Sequence, residues 1–417
     1  MTNYRHGQMI RIIDGLDSSL LAVKPDRCLL VRHRNADCLR CADVCTTGAI
    51  ALSEEGIVVS PEKCIGCGTC ASACPTGCLT AANPTDEALF ATVKAALVRH
   101  DGRVAIACET ACARAQRDAD GESAFAPGTP VGTADDGRAV IGVVCLGRVD
   151  ESLLVEATAR GARSIQLISG RCEACPRHCG GALCDEITAS AENLLAAVGS
   201  SSPLERIRLA GAKPRTARKP APDGFQADLP EPRFTHVQAD GTLPHFVPER
   251  RLRLFNSLKA LGTPVRSTVS TRLWGQVTID TELCRSCRMC AVFCPTGALA
   301  RFDGADNTFG VEHRSALCMQ CRLCETICPE QAITVAEEVS TDEFLAGTKF
   351  RFAMQPIGWN PGAEDSIASR MARFIKVDNV QEPQAKVKSN DTAERRAYAH
   401  MRDERRREIR EERGSRP

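Results

Sequence analysis

Between residues 86 and 198 the hydrophobic pattern switches period several times. Short β-branched runs at Val104–Ala107, Ala139–Val144 and Ser164–Ile168 read as strands, and Asp86–Val98, Glu151–Arg160 and Ile187–Val198 carry helical spacing. That alternation predicts a parallel α/β sheet. Residues 200–248 are rich in Pro, Ser, Ala and charge, as in the stretch Ala212–Pro222, and read as an extended linker. Arg250–Leu261 reads as a helix leading into the next segment. Glu394–Arg413 mixes Arg and Glu at helical spacing with almost no apolar stripe. It is expected to be a solvated helix or a disordered tail whose Arg-rich surface engages an acidic partner.

The chain has 417 residues, enough for two to four domains. Lys and Arg number 53 against 52 Asp and Glu, which argues against a globally basic nucleic-acid binder. Only 4% of residues are aromatic, so small domains would need help beyond their own cores, such as metal clusters. Cysteine changes the picture, with 24 in the chain. The first residues show no apolar signal region, cleavage site or twin-arginine motif, and no apolar run approaches the roughly 18 residues that span a bilayer. A cytoplasmic protein in a reducing compartment is therefore expected, and there cysteines are mostly ligands or catalysts.

The cysteines fall into blocks at 28–78, 108–184 and 284–328, and the first and third resemble each other. Cys64, Cys67, Cys70 and Cys74-Pro-Thr-Gly are matched by Cys284, Cys287, Cys290 and Cys294-Pro-Thr-Gly. Another copy follows at Cys318, Cys321, Cys324 and Cys328-Pro. A C-x-x-C-x-x-C turn wraps three thiolates around one iron–sulfur cluster, and the trailing Cys-Pro points to the other cluster of a pair. Over roughly residues 28–82 and 276–336 the chain thus resembles bacterial two-cluster ferredoxins. In the second module the resemblance is complete. It implies one [4Fe–4S] cluster on Cys284, Cys287, Cys290 and Cys328 and another on Cys318, Cys321, Cys324 and Cys294. Zinc is the alternative, but zinc sites use ligand pairs separated by a long loop.

The first module departs from this pattern. Cys45, Cys64, Cys67 and Cys70 fit one cluster. For its partner Cys38, Cys41 and Cys74 are in register, but Asn35 stands where a cysteine is expected and Thr46 where Pro is usual. Cys28, seven residues upstream, is the candidate replacement. The alternatives are a three-thiolate cluster or none. Cys78 reads as a small core residue.

In the middle block Cys108, Cys145 and Cys172 each follow a predicted strand. In an open parallel sheet the carboxyl ends of the strands share one edge, so topology alone should bring the three together. The stretch Cys145-Leu-Gly-Arg-Val-Asp150, with Gly161-Ala and Gly170-Arg-Cys172-x-x-Cys175, resembles the delta subunit of methyl-viologen-reducing hydrogenases. That resemblance implies one small cluster, usually [2Fe–2S], and electron delivery to heterodisulfide reductase. It departs at Cys172-Glu-Ala-Cys175-Pro-Arg-His-Cys179, where the family usually has Gly-Asp-Cys-His. The preferred ligands are Cys108, Cys112, Cys145 and Cys172, with Cys175 as substitute for one of them. Rival readings give Cys172, Cys175, Cys179 and Cys184 a cluster of their own, or leave these cysteines as buried structural thiols. Lying between the modules in sequence, this domain would be the middle step of an electron path.

No dinucleotide fingerprint, P-loop or haem-attachment motif is present, and no catalytic constellation stands out. His33 and His178 read as solvated residues or as supports of nearby cysteines. The expected fold is α+β and α/β multidomain. Two dicluster ferredoxin-like modules (1–84 and 250–345) flank a small flavodoxin-like domain (85–199), with a linker (200–249) and a C-terminal extension (346–417). The expected function is a relay of single electrons rather than an enzyme. By resemblance its partners would be a hydrogenase, a heterodisulfide-reductase-like enzyme or a molybdenum oxidoreductase such as formate dehydrogenase. The alternative is an accessory, maturation or redox-sensing factor for such an enzyme.

Overall fold

Four parallel strands form the centre of the chain in a computed structural model, which describes residues 20–33, 35–53, 56–115, 125–175, 177–209, 243–304 and 308–355. Their order across the sheet is Ala139–Val143, Arg103–Cys108, Ser164–Ser169 and Leu204–Arg208, and Pro130–Thr133 closes one edge antiparallel. Ile106, Ile141, Ile165 and Leu167 lie on one face of the sheet, and along Ser164–Ser169 buried positions alternate with half-buried ones. Leu89, Val93 and Leu97 of the helix Asp86–Arg99, Leu154 of Glu151–Ala159, and Ile187, Ala191 and Leu194 of His178–Ala197 share one core with Ile106, Ile141, Ile165 and Leu167. The first two helices begin at side-chain caps, Thr85 accepting from the Ala88 N–H (3.2 Å) and Asp150 from the Leu153 N–H (3.1 Å).

Leu204–Arg208 lies in the stretch read as linker. Its sequence, Leu-Glu-Arg-Ile-Arg, hid it, because Arg206 and Arg208 both pair with Asp185 and break the apolar run. The rest of that stretch from 210 to 242 lies outside the described residues, as does the charged tail with Glu394–Arg413.

The two cysteine repeats fold alike. In the first, Leu21–Val23 pairs antiparallel with Leu79–Ala81, and Ile50–Ser53 forms a hairpin with Gly56–Val59. In the second, Gln276–Ile279 pairs with Ile333–Ala336, and Leu299–Asp303 forms a hairpin with Phe309–His313. Phe350–Ala353 adds a third strand to that hairpin, beyond the expected boundary at 345. Pairing the first strand of each repeat with its last brings its two cysteine runs face to face. A one-turn helix carries each later run into its Cys-Pro: Thr69–Ala73, Met289–Phe293 and Leu323–Ile327.

The helix Glu249–Leu261 joins the second repeat to the α/β domain. Its Leu254 and Leu258 enter the domain's core together with Trp274 and Phe344, whose rings meet edge to face with centroids 4.7 Å apart. The repeats also touch each other directly: His33 stands edge-on to Phe293 with ring centroids 4.6 Å apart. Among the described residues no helix is long and apolar enough to cross a membrane.

Candidate metal centres

The cysteine runs are shaped by left-handed backbone. Gly66 and Gly68 have φ of 66° and 72°, and the equivalent positions in the second repeat are Ser286 and Arg288 (58° and 54°) and Gln320 and Arg322 (50° and 59°). A non-glycine residue there is strained by roughly 1–2 kcal/mol. The turn wraps three thiols around a common centre and aims backbone N–H groups at their sulfurs, from Gly66 to Cys64, Ser286 to Cys284 and Gln320 to Cys318. The residues before Cys41, Leu39 and Arg40, do not adopt that left-handed turn: Leu39 has φ of −125° and Arg40 opens a helical turn. The run with Asn35 in place of cysteine thus departs in backbone as well as in sequence.

In the second repeat Cys290 is raised far above an ordinary thiol by burial and by its neighbours Cys287, Cys328 and Cys284. Burial likewise raises Cys324, with Cys321, Cys318 and Cys294 adding to it. Cys328 thus lies beside the Cys284–Cys290 run and Cys294 beside the Cys318–Cys324 run, and the two sets also touch, since Cys294 neighbours Cys290 and Cys290 neighbours Cys324. Burial pushes Cys318 up to about 11.

In the first repeat burial raises Cys70, whose neighbours are Cys67, Cys64, Cys41 and Cys45. Cys41 is raised by burial and then by Cys74, Cys38 and Cys28. Cys28, buried at 3% exposure, is thus a neighbour of Cys41 together with Cys74 and Cys38. Cys78 is more than a core filler. Its thiol, 1% exposed, donates to Cys28 and lies in charge contact with Cys74 and Cys41, so five thiols surround this position. His33 accepts a hydrogen bond from the Asn35 backbone N–H (3.0 Å) and is buried against Phe293, whereas His178 is exposed.

A further element was readable but missed. Each Cys-x-Thr-Gly places a threonine hydroxyl beside the sulfur: Thr47 at Cys45 (3.6 Å), Thr76 at Cys74 (3.5 Å) and Thr296 at Cys294 (3.8 Å). Hydrogen bonds to sulfur are a main lever on the potential of an iron–sulfur cluster.

On the α/β domain Cys108, Cys145 and Cys172 emerge at the carboxyl edge of the sheet. Cys108 Sγ accepts from the Gly170 N–H (3.4 Å), and the Cys172 thiol faces the Gly170 carbonyl (3.8 Å). Cys145 and Cys172 both abut the first turn of His178–Ala197. A β-carbon on Gly180 would collide with Cys145 Sγ, and one on Gly181 would lie 2.6 Å from Cys172 Sγ. Buried Arg177 ties this edge together, donating to the Val144 carbonyl (2.9 Å) and pairing with Glu109 (2.9 Å). Cys112, raised to about 12 by burial, stands next to Cys108. The Cys175 sulfur accepts from the Arg177 N–H (3.4 Å), and Cys184, raised to about 11 by burial, lies fully buried within reach of Cys172. Cys145 lies within electrostatic reach of Cys67 of the first repeat, and Cys179 of Cys45.

These thiols fit iron–sulfur clusters. Every foursome has buried or half-buried thiols, and the N–H donors of the Gly66, Ser286 and Gln320 turns can stabilise thiolates once iron ionises them. Among the described residues no three His, Cys, Asp or Glu side chains form a group that holds a single metal ion. Residues 57–80 match the family model of a 4Fe-4S binding domain, and residues 283–332 match that of a 4Fe-4S dicluster domain. The chain carries two ferredoxin-type domains. No curated protein and no solved structure matches it. The domains make the chain an iron–sulfur, metal-binding protein of the electron-transport class.

Proposed function

We propose that this protein relays single electrons between redox subunits. Four [4Fe–4S] clusters would sit on Cys284/287/290/328, Cys318/321/324/294, Cys28/38/41/74 and Cys45/64/67/70. The observation that carries this reading is the completion of each foursome by a cysteine from outside its local run, as with Cys328 and Cys294, which is the donor set of paired cubane clusters. The chain's own residues bury the thiols and offer N–H and hydroxyl groups to the sulfurs. The bound clusters would supply reversible one-electron chemistry.

A fifth, smaller cluster of the [2Fe–2S] kind is proposed on Cys108, Cys112, Cys145 and Cys172, with Cys175 as substitute. The strand order of the parallel sheet supports a flavodoxin-like domain, in which ligands gather at the carboxyl edge. Proposed partners are a hydrogenase, a heterodisulfide-reductase-like enzyme or a molybdenum oxidoreductase, in the cytoplasm. Anaerobic reduction by dithionite followed by reoxidation with a physiological acceptor tests the relay. All clusters are expected to cycle quickly and reversibly. Clusters that reduce slowly or break down on cycling would favour a maturation or sensing role.

A further inference from the structure

The repeats meet with their cysteines facing each other. Leu29 and Ala36 of the first repeat and Leu323 and Ile327 of the second form one buried apolar cluster, with Cys38, Cys321 and Phe293 packed against it. Arg32, 4% exposed, reaches across and donates to the carbonyls of Phe293 (2.8 Å), Pro244 (2.8 Å) and Cys294 (3.0 Å). Arg40 donates to the Gln320 carbonyl (2.8 Å), inside the Cys318–Cys321 turn. Within each repeat the two foursomes share a core, Cys41 with Cys70 in the first and Cys290 with Cys294 in the second.

The α/β domain contacts cysteines elsewhere. Its turn after the strand Ala139–Val143 covers the Cys67–Cys70 loop of the first repeat. The Arg148 side chain lies directly over Gly68, where a β-carbon would collide with it, and the Arg148 carbonyl accepts from the Ser72 hydroxyl (3.0 Å). Thr69 Oγ1 lies 2.8 and 3.1 Å from the β-carbons that Gly147 and Gly180 lack, and the latter position also abuts Cys145 Sγ. The small residues let the two loops close on each other.

Resting on the relay reading above, we propose that the clusters form one unbranched row. Its order is the Cys284, Cys318, Cys28 and Cys45 foursomes and then the α/β-domain cysteines, so that this domain is a terminus of the path and not the link between the repeats. Electron transfer falls off steeply with separation, so sets that pack together exchange first. Each step moves one electron from a reduced set to its oxidised neighbour, with no bond made or broken. The electron enters from a reduced redox protein at one end and leaves to an oxidised one at the other. Both ends reach the surface, at exposed Glu282 and Arg285 around Cys284 and at exposed Arg171 and Glu173 around Cys172. Arg32 is a positioning residue at the central junction, its cation beside the Cys294 and Cys321 pair of ligands.

The test is electron paramagnetic resonance of the anaerobic, reduced, full-length protein, with iron and sulfide counted in every sample. Cys41→Ser is expected to weaken the magnetic broadening of two signals, those of the Cys45 and Cys318 foursomes, whereas Cys287→Ser relieves the Cys318 foursome alone. An unchanged Cys318 signal in Cys41→Ser overturns the row. So does a Cys145→Ser variant that alters the second repeat and spares the first. Arg32→Leu keeps every ligand and decides the matter if a cysteine variant loses more than one cluster. It should retain full iron, lower the midpoint potential of the Cys318 foursome and weaken its coupling to the first repeat. Unchanged potential and coupling overturn the junction. Protein that binds zinc and contains no sulfide refutes the relay reading itself, a result distinct from all of these.

Discussion

Arg272 holds the Glu151 carboxylate through two hydrogen bonds of 2.6 and 2.7 Å, across 121 positions of sequence. Glu151 opens the helix Glu151–Ala159, and its side chain is 2% exposed. The pair joins the α/β domain to the segment that leads into the second repeat. Arg272→Ala leaves a buried charge unpaired and is expected to cost about 3–5 kcal/mol in anaerobic denaturant unfolding. Adding Glu151→Leu should recover part of the loss. The exposed pair Arg163–Asp101 is the control, and Arg163→Ala should cost well under ~1 kcal/mol. Equal effects at the two sites would refute this account.

Iron and sulfide analysis of the anaerobic holoprotein should find about four cubane clusters and one smaller one, or roughly 18 irons. The expectation follows from sixteen proposed ligand cysteines in the two repeats, Cys78 left aside, and the preferred set of four on the α/β domain. A total near 16 with all four cubane signals present would remove the fifth cluster and keep the rest.

Cys28→Ser should change one cluster of the first repeat and spare its neighbour. Cys78→Ala should leave the iron count intact and lower the midpoint potential of that same cluster, because a hydrogen bond to the Cys28 sulfur is lost. Spectra and potentials followed by redox titration check both. If Cys28→Ser leaves spectrum and iron unchanged while Cys78→Ser removes the cluster, the two thiols exchange roles.

Gly181→Ala should disturb the α/β-domain site alone, since its added β-carbon runs into Cys172 Sγ, whereas Gly180→Ala runs into Cys145 Sγ and also presses on Thr69 of the Cys67–Cys70 loop. In Gly181→Ala the four cubane signals are expected to persist while any signal of the fifth cluster shifts or is lost. Full retention of that signal in both variants would mean that neither sulfur is a ligand.

His313 is fully buried in the hairpin of the second repeat, and neither ring nitrogen has a hydrogen-bond partner among the described residues. Burial lowers it from 6.5 to about 4. The unfolded chain therefore binds a proton that the folded chain refuses between those two values. Stability should fall as the pH drops through that window, by about 3 kcal/mol at most. His313→Leu should flatten this part of the pH profile, measured by denaturant midpoint against pH. An identical slope in the variant assigns the effect to other groups.

The cysteine runs were legible because their geometry is local. Three thiols within seven residues converge once the turn is left-handed, whatever surrounds them, and Cys294 and Cys328 are aimed at the opposite run by the same repeat. The strands at 103–108 and 139–143 were legible because near-complete burial writes an apolar run into the sequence, and 164–169 because Ile165 and Leu167 alternate with less buried positions. Leu204–Arg208 escaped notice because an edge strand with two paired arginines writes no such run. Tertiary structure alone decided that Cys28 and Cys78 share one site, that the repeats face each other and that Cys145 lies against the Cys67–Cys70 turn. Arg32 shows why. It binds carbonyls of Phe293, Pro244 and Cys294, and since every residue carries a carbonyl, nothing in those side chains could signal the partner. Contacts of a side chain with distant backbone are fixed by where the folded chain places it, and the sequence holds no local record of them.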